Sequence, residues 1–138
     1  MIVLDTNVVS ELMRTRPEPG VVRWVDHHSP DGYALTAISV AELRFGILRL
    51  PSGRRREALG RAFGLVLEED LGGRILPFDA EAAEVHASMS AAAELTGRTR
   101  PIADGQIAAI CTARGLPLAT RNVRDFDGQG IDLLDPWS

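Results

Sequence analysis

Five residues spread along the chain have side chains suited to a hard cation: Asp5, Glu42, Asp104, Asn122 and Asp125. Asp5 ends the apolar run Met1-Ile2-Val3-Leu4, and Glu42 sits one turn into a helix that follows a second apolar run. Asp104 opens a further helix just after Pro101, and Asn122 and Asp125 follow Leu118-Ala119-Thr120. Ligands of an open parallel sheet bind in the crevice outside the carboxyl ends of its strands. Residues this far apart in sequence can therefore meet at one sheet edge. Oxygen donors with little else reactive beside them suit Mg²⁺ or Mn²⁺.

Little else reactive is present. His27, His28 and His86 have no metal-ligand spacing, and Cys111 lies mid-helix among Ala and Ile like a small core residue. No Ser-His-Asp arrangement, phosphate-cradling Gly loop or zinc pattern occurs. Each acidic residue also has a purely structural use. Asp5 can cap the helix after it. Ser39-Val40-Ala41-Glu42 fits a capping box. Asp104 suits the positive end of its helix, and Asn122 fits a turn. Gly46, one turn beyond Glu42 on the same helix face, suggests space kept around that carboxylate, because an interior helical Gly costs about 1 kcal/mol.

The elements that must carry these residues alternate. Strands are predicted at residues 1–5, 33–37, 74–78, 118–120 and 131–134. Helices are predicted at 8–13, around 21–25, from Ser39 to Leu50, from Arg54 to Leu71, from Asp79 to about Thr96, and from Pro101 to Ala113. This pattern implies a parallel α/β sheet with right-handed crossovers. At 138 residues with 45% hydrophobic content, the chain is expected to form a single domain over 1–138. The net charge of -4 argues against a general nucleic-acid coat protein, but not against a nuclease whose acidic site is neutralised by cations. All 15 basic residues are Arg, which suits bidentate phosphate contacts. No apolar run is long enough to span a bilayer. Asp5 breaks the first run and no basic stretch precedes it, so a cytoplasmic protein is expected.

Four segments, in order, resemble the motifs of the PIN-domain ribonucleases and, among them, the VapC-type toxins of bacterial toxin–antitoxin pairs. They are Ile2-Val3-Leu4-Asp5-Thr6-Asn7-Val8, Thr36-Ala37-Ile38-Ser39-Val40-Ala41-Glu42-Leu43, Ile102-Ala103-Asp104-Gly105-Gln106-Ile107-Ala108-Ala109, and Leu118-Ala119-Thr120-Arg121-Asn122-Val123-Arg124-Asp125-Phe126. The ending Leu134-Asp135-Pro136-Trp137 resembles the same subfamily. The resemblance implies a sheet of order 3-2-1-4-5 flanked by helices, a homodimer, and Mg²⁺- or Mn²⁺-dependent endoribonuclease activity. It also implies an antitoxin partner through which operator DNA is bound. Many members carry Asp where this chain has Asn122, which leaves a second ion open.

On this basis Asp5, Glu42 and Asp104 are the expected ligands of one ion, with Asn122 and Asp125 completing the catalytic set. Without metal, mutual repulsion should raise at least one of these pKa values. Thr6 and Thr120 are expected to orient the carboxylates by hydrogen bonds. Arg14, Arg16, Arg98 and Arg121 are the expected RNA-binding cations. A catalytically weak co-repressor is the alternative reading. A receiver domain would need a strand-end Lys, which is absent. A Mg²⁺-dependent phosphatase would need Asp where Asn7 stands.

Overall fold

The computed structural model describes residues 1–138. In chain order the elements are β1 (Ile2–Leu4), α1 (Thr6–Leu12), α2 (Pro19–His27), β2 (Tyr33–Thr36), α3 (Ala37–Leu48), α4 (Arg54–Leu65), β3 (Ile75–Leu76), α5 (Ala80–Leu95), α6 (Ile102–Arg114), β4 (Leu118–Ala119), α7 (Val123–Phe126) and β5 (Leu133–Leu134). The sheet order is β3-β2-β1-β4-β5 and every pairing is parallel, the expected 3-2-1-4-5 arrangement. No helix is long and apolar enough to cross a membrane.

The central strands are apolar on both faces because helices cover both. Alternation then decides which side each residue serves. Ile2 and Leu4 join Tyr33, Leu35 and Ala119 in one buried cluster, with Val8, Val9, Val21, Leu43 and Phe63. Val3 and Leu118 point the other way, into a cluster with Ile107, Ala108, Cys111 and Phe126. Asp5 continues the alternation from Val3, so it rises towards the α6 side at the end of the strand. On α6, Ile107, Ala108 and Cys111 form one buried stripe. Asp104 extends that stripe by one turn at i−3 and i−4 from its first members.

Several boundaries depart from the sequence reading. The helix from Arg54 ends at Leu65 and passes into a π-helical turn, Val66–Asp70, whose Val66 is buried. The π turn brings Val66 and Leu71 into the core without a break in the chain. The strands are shorter than predicted, because pairing covers only two register positions in each ladder. α7 was not foreseen, since four residues carry no readable periodicity. Asp79 caps α5 as expected, accepting from the Ala82 N–H at 3.0 Å.

Candidate functional site

The ends of β1 and β4 lie side by side, and a polar network ties them together. Asp5 N–H donates to the Ala119 carbonyl at 2.8 Å. The Asp5 carboxylate is buried, 5% exposed. It accepts from the Thr6 backbone N–H at 2.8 Å, from the Thr120 hydroxyl at 2.8 Å and from the Asn7 amide at 3.3 Å. Asp5 is thus the N-cap of α1 and also the acidic floor of the site, so the capping use and the site use coexist. Thr120 is wholly buried, and its hydroxyl also accepts from Asn122 N–H at 3.0 Å. Asn7 completes the tie, its Oδ1 accepting from Arg121 N–H at 3.2 Å.

Glu42 reaches the site by a different route than the capping box implied. The cap of α3 is Thr36, whose Oγ1 accepts from Ser39 N–H at 3.1 Å. The helix therefore begins a few residues earlier than Ser39, and Glu42 lies beyond the capping position with its carboxylate free of the backbone. It accepts instead from Thr6 Oγ1 at 2.8 Å, and the same hydroxyl lies 2.8 Å from Ser39 Oγ. Gly46 does not relieve crowding around Glu42: a Cβ there would meet nothing within 4 Å.

The resulting groove has a volume of about 510 Å³ and is lined by Asp5, Thr6, Asn7, Ser10, Glu11, Glu42, Asp104 and Asn122, with Arg14, Arg121 and Trp137 at its sides. Asp125 lies in an adjoining hollow with Arg98, Arg100 and Arg124, close enough to act on both Asp5 and Asp104. Burial, then the charges of Asp5, Asp125 and Glu42, push the Asp104 carboxyl up to about 6, against a lesser pull from Arg100. Burial also raises Asp5, opposed by the hydrogen bonds from Thr120 and Thr6. Oxygen donors that repel one another suit a divalent cation. The side chains do not form a ready-made cluster of three metal-binding groups.

The structure thus gathers Asp5, Glu42, Asp104 and Asn122 in one groove, sets Asp125 beside it, and places Thr6 and Thr120 as hydrogen-bond donors to the acids. Among the arginines, Arg14 and Arg121 line the groove. Arg16 does not; it borders a separate apolar hollow with Leu12, Leu59 and Leu65, because it lies past the end of α1 where no helical period fixes its direction. Arg98 lies at the α5–α6 connection, in the hollow of Asp125. Sequence reasoning passed over Asn7, Ser39 and Trp137. The run Asp5-Thr6-Asn7 directly after an apolar strand was the signal available for the first. Cys111 is buried as expected, with burial pushing its thiol up to about 12.

The Asp104 shift gives a prediction. A carboxyl whose pKa is higher folded than unfolded binds more protons in the native state between the two values. Stability therefore falls as pH rises from about 4 to about 6, and the loss is complete above that. In EDTA, the wild-type melting temperature should be lower at pH 7.5 than at pH 5. Asp104→Asn should shrink that difference and melt higher than wild type at pH 7.5. An unchanged pH difference in the variant would remove Asp104 as its source.

An acidic groove at the carboxyl edge of a parallel 3-2-1-4-5 sheet is the arrangement of one class of α/β domain, and the PIN domain family model matches residues 2–128; the chain belongs to that family. Within it, the chain falls with the VapC-type toxins. It is 44% identical to the VapC ribonuclease Y4jK of Sinorhizobium fredii, covering 99% of this chain and 98% of the relative. It is 37% identical to the toxin FitB of Neisseria gonorrhoeae over 99% of both chains, and the crystal structure of FitAcB from that organism superposes with a TM-score of 0.87, covering 99% of each chain. A member of the VapBC family of toxin–antitoxin systems, VapBC-5 from Mycobacterium tuberculosis, superposes at 0.72 with 26% identity over 97% of each chain.

Proposed function

We propose that this chain is the toxin of a toxin–antitoxin pair: a Mg²⁺- or Mn²⁺-dependent endoribonuclease that acts in the cytoplasm and is held inactive by a cognate antitoxin. The observation that carries the reading is the groove itself, where buried Asp5 meets Asp104, Glu42 and Asn122 at the ends of β1 and β4. The likeness to a VapC ribonuclease and to a VapBC toxin–antitoxin family member supports the activity and the partner. Operator DNA would be contacted through the antitoxin. Phe45 and Leu48 leave an exposed apolar strip on α3, which is consistent with pairing of two copies. The co-repressor alternative loses ground because the acidic set is complete apart from Asn122.

Asp5, Glu42 and Asp104 would hold the ion, with Asn122 and Asp125 near it. When bound, the ion would supply an acidified water and stabilise charge on the phosphate under attack. The chain's own groups do the rest. Thr120 and Asn7 hold the Asp5 carboxylate in one orientation, and Thr6 holds Glu42. Such outer hydrogen bonds are typically worth about 10- to 100-fold in metal affinity or activity. Thr120→Val keeps the shape of a wholly buried side chain but removes the donor to Asp5. It should lower cleavage within that range and weaken Mg²⁺ binding in parallel, measured by titration. Cleavage and affinity equal to wild type would mean that Thr120 serves packing alone.

The reading itself is tested with purified, antitoxin-free protein and a mixed RNA pool. Cleavage in Mg²⁺, its loss in EDTA and its return on adding Mg²⁺ or Mn²⁺ are the expected results. Folded protein that leaves every RNA in the pool intact with either metal would count against it.

A further inference from the structure

The groove poses an electrostatic problem. Asp5, Glu11, Glu42 and Asp104 line it, yet an RNA backbone must enter. Its lining includes two cations, Arg14 and Arg121. Arg14 is engaged: its Nη1 lies 3.4 Å from the Glu11 carboxylate, a largely buried group that also accepts from Glu18 N–H at 3.1 Å. Arg121 is not. The ion pairs of the protein are Arg14–Glu11 and Arg114–Asp79, so Arg121 has no carboxylate partner. Its guanidinium instead lies over the Trp137 ring, 5.0 Å from the centroid.

Both ends of Arg121 are held. Its backbone N–H donates to Asn7 Oδ1 at 3.2 Å, in the network that fixes Asp5. Trp137 is half-buried and packs against the main core cluster. Its backbone N–H donates to Asp135 Oδ1 at 2.9 Å, which fixes the main chain that carries the indole. A guanidinium lying over an aromatic face keeps the N–H donors along its edges free, and those donors match phosphate oxygens two at a time. A side chain already held in place also loses less freedom when it binds.

We propose that Trp137 is a positioning residue: it holds the Arg121 guanidinium at the rim of the acidic groove, where Arg121 takes up an RNA phosphate neighbouring the one that is cut. This rests on the ribonuclease reading and adds how the groove admits its substrate. Trp137 touches Arg121, and Arg121 touches RNA. The indole could be replaced by another flat ring, but not by an aliphatic group of similar bulk.

The test measures binding of a labelled single-stranded RNA to the folded, cleavage-impaired Asp5→Asn protein in EDTA over a range of salt concentrations. One phosphate contact on a single strand contributes about 0.7 to the slope of log affinity against log salt. Arg121→Ala should reduce the slope by about that amount and weaken binding by roughly 10-fold at low salt. Trp137→Leu should reproduce most of both losses, Trp137→Phe should retain near-parental values, and Trp137→Leu/Arg121→Ala should bind like Arg121→Ala alone. Thermal melts establish that each variant is folded. A Trp137→Leu protein with the parental slope and affinity overturns the proposal, as does loss of affinity in Arg121→Ala with no change of slope, which would mean that a base stacks on the guanidinium instead. Losses that simply add in the double variant overturn the coupling. No RNA binding by the Asp5→Asn parent, with no cleavage by wild type, would sink the ribonuclease reading and this inference together, a pattern distinct from the others.

Discussion

Asp5→Asn is expected to reduce metal-dependent RNA cleavage by about 100-fold or more while leaving the fold in place. The substitution preserves volume at a site that is 5% exposed, so it opens no cavity. It preserves the cap of α1, because Asn caps a helix N-terminus about as well as Asp. Its carbonyl oxygen can still accept from the Thr120 hydroxyl or the Thr6 N–H. What disappears is the charge of the most buried carboxylate in the groove, and with it the strongest reason for a divalent ion to settle there. The metal-free variant should also be no less stable than wild type at neutral pH, because burial already disfavours the charged form of Asp5. Initial rates over a Mg²⁺ titration, beside thermal melts in EDTA, separate the two effects. A variant that keeps more than a tenth of the wild-type rate at saturating Mg²⁺ would displace Asp5 from the reaction.

The parallel sense of the sheet and the meeting of acids at its edge were legible because each depends on a pattern longer than one contact, whereas the strand order was implied only by the resemblance to the PIN-domain family. Apolar runs alternating with amphipathic stretches imply parallel crossovers, and a parallel sheet has one carboxyl edge. Residues just after β1 and β4 must meet there once the strands pair, as Val3 with Leu118 and Leu4 with Ala119 show. The details that depend on a single hydroxyl were not legible. Thr36 and Ser39 are both good caps, and Glu42 completes a capping box only with Ser39. The strand end decides between them: β2 closes at Thr36, the helix starts at once, and Glu42 is released to Thr6. Asn7 and Trp137 were missed for a related reason. Within their own segments they make only local bonds, Asn7 to Asp5 and Trp137 to Asp135; their contacts with Arg121 exist only because β4 brings it alongside.

Phe126→Ala should produce the largest loss of stability among single changes near the site and disturb the acidic set without touching it. Phe126 is 1% exposed and packs in the cluster of Val3, Ile107, Ala108, Cys111 and Leu118. Truncating a buried Phe costs about 3–5 kcal/mol, which for a chain of this size is a drop of roughly 10–20 °C in melting temperature. The consequence for the site follows from the length of α7. A four-residue helix has no stability of its own, and Phe126 is its one buried residue. Without that anchor, Asp125 and Asn122 lose their fixed distance from Asp104. Since Asp125 is among the charges that raise the Asp104 carboxyl, the pH dependence of metal-free stability should weaken along with the stability. Phe126→Leu leaves a smaller void than alanine, so it should cost clearly less than Phe126→Ala and keep both properties. Asp125→Asn should flatten the pH dependence with little loss of stability, so comparing these variants distinguishes the anchor from the charge it carries. A Phe126→Ala protein that melts like wild type would show that α7 is held by something other than its phenylalanine, and one that melts low but keeps the wild-type pH dependence would show that Asp125 is placed by the backbone after β4 alone.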